Sequence, residues 1–405
     1  MSAVRAKSEH HPRFGSIDAV RGAAILFVFL AHFTAGYSWS PASEAVAGDL
    51  RTLSMIASPT FVIVSGMVAG FLALTNPAGF GELRVKLFDR GLFLLLLGHL
   101  FLTLTLAPGT AAFSHAYRTS FITDAIAVAI LIGPSMVGAI SAPRRLALAT
   151  SIFVVGWWLT AHWHPIGIGS VAKLYLIGMT SPTGDLGAYP VFPVVPWFAV
   201  YLAGTVVGEQ VGRMYVAGRA RESHVLVAMV GAASVLAATA AHLIARDLRN
   251  ANPAAPWDIN GLSLLSVYGK FPPGIVYLGF FGGAGLLMLA SIFELDRRNK
   301  LPLLFGQLRK LGRSSLFLFT VQYSLYRAVL PHIGFRYTAL WPVIFLGSVV
   351  CLAAMASVWD RYSANRYLTV GITAEWRRHR ELSTTLGIRA LFRALATAGH
   401  HPAGR

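Results

Sequence analysis

Three ionisable side chains stand in one apolar stretch, IDAVRGAAILFVFLAHFTAGY, from Ile17 to Tyr37. Asp18 and Arg21 fall near its start, and His32 lies well inside it. From Arg21 to His32 is eleven residues, on an α-helix three turns plus about 20° and a rise of about 16 Å. Both side chains therefore share one stripe of a helix, one near its start and one deep. Histidine exchanges protons near neutral pH and can activate a weak nucleophile, whereas arginine grips phosphate. A stripe holding both is a candidate for group transfer. For Asp18 and Arg21 the plainer alternative is an i,i+3 pair that only neutralises itself.

Further candidates lie far apart in the chain. His99 sits in GLFLLLLGHLFLTL, Asp124 in TSFITDAIAVAIL, Lys270 in YGKFPPGIVYLG, and Gln322 with Tyr323 in SLFLFTVQYSLY. A single polar residue in a membrane span can equally serve a helix–helix hydrogen bond, and Gln322 reads that way. His162 and His164 are two residues apart, which on a helix turns them to different faces and argues against a metal site. Arg84, Lys86, Arg90, Arg144, Arg145 and Arg313 border apolar runs and together would suit a phosphate-rich ligand. Positive-inside bias alone would also supply them.

The elements that must position these residues are membrane spans. Of the chain, 55% is hydrophobic and only 13% charged, which is outside the soluble range. Ten apolar runs are visible: Ile17–Ser38, Leu53–Leu74, Leu87–Leu106, Phe121–Ile140, Leu146–Ala161, Val191–Gly208, Val225–Ile244, Phe271–Phe293, Leu316–Leu330 and Tyr337–Trp359. The expected fold class is all-α, a polytopic integral membrane protein of about ten transmembrane helices. A basic flank without a small-residue cleavage site makes the first run a retained span. The domain plan is a basic tail over 1–15, a membrane domain over 16–360 and a basic tail over 361–405. In that last tail Leu386, Arg389 and Arg393 mark a short amphipathic helix suited to anionic lipid. The longest outer connections, His162–Pro190 and Arg246–Lys270, would wall a site.

A net charge of +17 would imply nucleic acid only if it gathered on one folded face. Here the basic residues fall in short breaks between spans, so nucleic acid is excluded as a partner. With the N-terminus in the cytoplasm, 25 of the 34 Lys and Arg residues lie inside, so both termini are expected there. Arg21 then lies near the cytoplasmic face. His32, His99, Asp124 and Lys270 fall toward the outer half, as one acceptor pocket. The single cysteine, Cys351, allows neither a disulfide framework nor a thiolate metal site.

SIDAVRGAAILFVFLAHF resembles the opening motif of the transmembrane acyltransferase superfamily, an Arg or Lys, ten residues, then His. SPTFVIVSGMVAGF resembles its second-span motif, with Ser65 and Gly66 at the signature pair. FPVVPWFAVYLAGTVVG (Phe192–Gly208) and YGKFPPGIVYLGFFGGAGLLML (Tyr268–Leu289) resemble segments of the heparan-alpha-glucosaminide N-acetyltransferase-like family and its bacterial relatives. LGRSSLFLFTVQYSL (Leu311–Leu325) is similar to their penultimate span, which usually carries a His where Gln322 stands. Glucan succinyltransferases and acyltransferase type 3 proteins share the first two motifs and stay open as alternatives.

The resemblance implies transfer of an acyl group from a cytoplasmic acyl-CoA, acetyl-CoA first, to a hydroxyl or amino group of an extracytoplasmic sugar, glycan or glycolipid. It makes His32 the catalytic histidine, with His99 and Asp124 in support. Arg21, Lys86, Arg90 and Arg313 are the CoA-binding set, and Lys270 and Asp18 the acceptor contacts. No metal is expected. Either His32 deprotonates the acceptor for direct attack, or it carries the acyl group itself. The lipid bilayer of a bacterial-type inner membrane is the remaining partner, and a homodimer stays open. A rival from another class is a proton-coupled transporter using His32, His99 and Asp124 as a relay. The lack of internal repeats or paired broken helices speaks against it.

Overall fold

Apolar chain can satisfy its backbone in lipid only as helix or closed barrel, and among the described residues this protein is helical, with no strand. The computed structural model describes residues 15–37, 39–40, 43–106, 119–178, 192–251, 264–333, 340–362 and 364–385. The expected amphipathic stretch at Leu386–Arg393 and parts of both outer connections lie outside them.

The first helices are α1 (Gly15–Gly36), α2 (Glu44–Ser54) and α3 (Ala57–Thr75). Next come α4 (Pro77–Phe93) and α5 (His99–Leu106), joined by a π-turn at Leu94–Gly98. They are followed by α6 (Ile122–Ala139), α7 (Ala142–His162), a short α8 (Ile168–Leu176), α9 (Val194–Val216) and α10 (Ala220–Ala251). α11 (Ile275–Tyr277) passes through a π-turn at Leu278–Gly282 into α12 (Gly283–Arg297). α13 (Pro302–Arg313) leads to α14 (Ser315–Ser324), a third π-turn at Leu325–Val329 and α15 (Leu330–Ile333). Two more helices, α16 (Trp341–Arg361) and α17 (Ile372–Thr385), end the described chain.

Among the described residues, eight helical segments are long and apolar enough to cross a bilayer, and each matches one of the expected runs. The other two runs are helical but less apolar. α7 begins on Arg144 and Arg145, and the chain from Ser315 to Ile333 carries Gln322, Tyr323 and Arg327. Of these polar residues, Tyr323 and Arg327 line a cavity in the bundle.

α1 is the hub. Its Ala19, Val20, Ala24, Ile25, Phe29 and Phe33 are fully buried, and it packs against α2, α3, α12, α13, α14 and α16. α3 and α9 form the closest pair through two facing small-residue stripes. A Cβ on Gly66 or Gly70 would meet the carbonyl oxygens of Tyr201 and Thr205 at 2.2 and 2.0 Å. Gly204 and Gly208 stand likewise against Ile63 and Met67, so neither helix tolerates a side chain there. The α10 and α16 windows are only 17% and 11% buried, and present apolar faces suited to lipid.

Residues beyond 361, expected as a basic tail, are in part docked on the bundle. Asp89 of α4 is fully buried, a position a carboxylate holds only when paired or hydrogen-bonded. It accepts hydrogen bonds from the Thr369 hydroxyl and from the backbone N–H groups of Val370 and Thr373, the last two at 2.8 Å. The carboxylate thus caps the start of α17, where free N–H groups and the helix dipole favour an anion. Arg377 adds a 2.6 Å hydrogen bond to Glu82. Asp89→Ala removes these acceptors at a cost of about 3 kcal/mol. Trypsin cleavage at Arg377 and Arg378 in the otherwise folded protein is then expected to accelerate at least about tenfold. An unchanged cleavage rate would show that the clasp does not hold the segment.

Candidate active site

Among the described residues, two cavities lined by several charged side chains lie one toward each end of α1. Near the start of α1, a cavity of about 210 Å³ is lined by Asp18, Arg21, Arg90, Arg313, Ser65 and Asn365 among leucines and isoleucines. Toward its other end, a cavity of about 490 Å³ is lined by His32, Arg51, Lys270, Arg327, Tyr323 and Ser58, with Phe121, Phe192, Phe271 and Phe319 as its aromatic wall. The same helices serve both. On α6 the linings are Ile122 and Ile126, and on α1 they are Val28 and Arg21. The two cavities are thus separated by only about one to two helical turns, roughly 5–10 Å.

His32 is held by α14. Its Nδ1 lies 2.8 Å from Gln322 Oε1, and the Gln322 amide nitrogen donates to the Phe319 carbonyl at 2.9 Å. That second bond fixes which end of the amide faces the ring, so the facing atom is the oxygen and Nδ1 must carry the hydrogen that it accepts. Nε2 keeps its lone pair as the basic nitrogen. Tyr323 packs edge-on to the imidazole at 4.9 Å between centroids, and Phe319 at 6.2 Å. Gln322 is fully buried and acts as a positioning residue. The sequence marked it only as interhelical glue, because nothing in a linear pattern pairs it with His32.

His99 and Asp124 form their own pair. His99 Nδ1 is 2.9 Å from Asp124 Oδ2, and the same oxygen accepts the Phe121 backbone N–H at 2.8 Å. Asp124 thereby caps the start of α6 while fixing His99. Phe121 stands between this pair and the cavity: its ring is 5.5 Å from His99 and 5.8 Å from Tyr323. Neither His99 nor Asp124 lines the His32 cavity. The expected cluster of all three is therefore split, and Gln322 is the residue that orients His32.

Three of the four expected CoA-binding cations meet at the other cavity. Arg21 donates to the Ser315 hydroxyl at 2.7 Å and lies 3.8 Å from Asp18. Arg313 forms a two-pronged pair with Asp360, at 2.9 and 2.6 Å. Asn365 donates to the Arg313 carbonyl at 2.7 Å, so the docked segment after α16 closes one wall. Arg90 lines the same space. Lys86 does not, and is instead 2.9 Å from Glu82. Asp18, grouped in the sequence with Lys270, stands in the opposite cavity from it. Arg145 is not part of a surface ring: it is fully buried, donating to Thr205 at 3.0 Å and paired with Glu209.

Arg327, unmarked in the sequence reading, enters the larger cavity from the π-turn at Leu325–Val329. π-turns recur at functional sites because the extra residue re-aims the side chains that follow. A 3.6-residue period cannot reveal such a shift.

The protein is thus a multi-pass helical bundle with an oriented histidine facing one cavity and an arginine-lined cavity behind it. A family model described as "Heparan-alpha-glucosaminide N-acetyltransferase, catalytic" matches residues 13–242, more than half the chain, and the protein belongs to that family. A comparison with curated proteins finds no match. The matched region contains His32, Arg21, Arg90, His99 and Asp124.

The His32–Gln322 geometry has a spectroscopic consequence. In protein labelled with 15N-histidine, the neutral His32 ring is expected to show a protonated Nδ1 and an unprotonated Nε2. Gln322→Leu removes about 1 kcal/mol of preference, so the tautomer ratio should shift roughly fivefold toward the Nε2–H form. The same tautomer in both proteins would show that another group sets it.

Proposed function

We propose that the protein transfers an acyl group, acetyl first, from an acyl-CoA to a hydroxyl or amino group of a sugar or glycan across the membrane. The observation that carries this reading is the alignment of two cavities on shared helices, with Arg21 in one and the free nitrogen of His32 in the other. The positive-inside bias supports a cytoplasmic setting for the arginine-lined cavity, in an inner membrane, on the side where CoA is available. Arg21, Arg90 and Arg313 then hold the CoA phosphates, with Lys86 outside that ring. Asp18, beside Arg21, belongs with the donor rather than the acceptor.

The pantetheine arm is narrow enough to thread the turn or two of helix between the cavities and bring the thioester to His32. His32 Nε2 takes the proton from the acceptor's hydroxyl or amine as its oxygen or nitrogen attacks the thioester carbonyl carbon. Collapse of the tetrahedral adduct breaks the carbon–sulfur bond. The thiolate leaves and receives the proton from His32, giving free CoA and the acylated acceptor. Direct transfer is favoured over an acyl-histidine because the two cavities let donor and acceptor be bound at once. Lys270, in the wall facing His32, would contact the acceptor.

Purified protein supplied with radiolabelled acetyl-CoA and an oligosaccharide acceptor is the test. His32→Ala should lower kcat roughly 10²–10⁴-fold with donor binding retained. Arg21→Gln should raise the KM for acetyl-CoA several-fold, about 1 kcal/mol for a lost charged hydrogen bond, while leaving kcat nearly intact. Equal turnover in wild type and a well-folded His32→Ala protein would overturn the catalytic assignment. Uptake driven by a proton gradient, with no CoA binding, would favour the transporter.

A further inference from the structure

The larger cavity is strongly one-sided in charge. Among the described residues, Arg51, Lys270 and Arg327 line it together with His32, and no carboxylate does. Arg51 is already paired with Glu44. Lys270 and Arg327 have no carboxylate partner among the described residues: Arg327 reaches the Ala35 carbonyl at 3.5 Å. Lys270 Nζ rests 5.3 Å from the centroids of both Phe192 and Phe271. These two rings pack at 4.8 Å and 80° to each other, so they form a V-shaped seat that holds the ammonium by cation–π attraction. Lys270 precedes the span that begins at Ile275, and burial lowers its pKa to about 8, which still leaves it mostly charged at neutral pH.

Holding two half-buried cations without a carboxylate carries an electrostatic cost. A bound anion would offset that cost, whereas a protonated amine in the same space would meet like charge. We propose that this cavity is an anion subsite, in which Lys270 and Arg327 hold a carboxylate or phosphate of the substrate next to His32. The inference rests on the proposed transfer reaction only for the substrates' names, since the subsite itself is defined by the cavity. The anion can come from two sources. It can belong to the acceptor, as in an acidic sugar acylated on a neighbouring hydroxyl, or it can be the distal carboxylate of a dicarboxylic acyl group on the donor.

Matched pairs separate these sources. Binding of glucuronate and of glucose, and of succinyl-CoA and acetyl-CoA, is measured by equilibrium dialysis on the full-length protein in detergent. Transfer is then followed with every donor–acceptor combination. The wild type should favour the charged member of one pair by about tenfold or more, the effect of 1.4 kcal/mol. Lys270→Gln with Arg327→Gln should reduce that ratio by about the same factor, and Lys270→Arg should restore most of what the single Lys270→Gln change loses. A preference within the sugar pair assigns the anion to the acceptor, and one within the CoA pair assigns it to the acyl group. Equal handling of both members of both pairs by the wild type overturns the proposal. So does an unchanged ratio in variants that merely slow every reaction, because that marks a role in steadying the transition state. If no transfer is seen with any substrate, the dialysis ratios decide alone, and the transfer reading fails separately. His32→Ala should lose transfer and keep the binding ratio.

Discussion

A polar side chain inside the hydrocarbon must find its partner within the protein, since lipid offers none, and this bundle is arranged around such pairings. His32 on α1 is satisfied by Gln322 on α14, and Arg21, three turns earlier on the same helix, by Ser315 at the start of α14. The two helices are therefore fastened at two depths by polar bonds that cannot slide past each other. Close backbone contact between α1 and α13 adds to this: a Cβ on Gly312 would meet the Asp18 carbonyl oxygen at 1.7 Å. The stripe that carries the chemistry is thus also what sets the register of the first span against the segment from Pro302 to Ile333.

The same constraint explains which parts could be read from sequence. Spans announce themselves because lipid demands apolar runs of a certain length, and the Arg21–His32 stripe is legible because one straight helix carries both. Relations between helices are not legible in that way. His99, Asp124 and His32 were expected at one depth, yet depth says nothing about azimuth, and Phe121 separates the first two from the third. Gln322 and Asp89 are single polar residues whose partners lie 290 and 280 positions away or more, so no local pattern encodes them. Three π-turns among the described residues also shift the register of the chain that follows, so Arg327, inside the expected run Leu316–Leu330, was not singled out for the site. Arg145 shows the reverse error: a basic residue at a span end fits the positive-inside rule, but this one is spent on Thr205 and Glu209 inside the bundle.

The contrast between the two cavities bears on how a reaction could be divided across the membrane. In the smaller one two of the three arginines are matched by acids, Arg21 with Asp18 and Arg313 with Asp360. A polyanionic donor would enter by displacing or sharing those partners, a weak and exchangeable arrangement suited to a soluble carrier that must leave after each turnover. In the larger one Lys270 and Arg327 are seated with aromatic and backbone groups and lack carboxylate partners among the described residues. A charged substrate group entering there gains the full interaction and also places its neighbouring atoms beside the basic nitrogen of His32. A neutral amide, unlike a carboxylate, holds the His32 ring at Nδ1 without adding a charge of its own. Had an aspartate stood where Gln322 is, it would have stabilised the imidazolium and paired with the nearby cations, closing the cavity's charge on itself. The amide orients the ring and leaves those charges for the substrate.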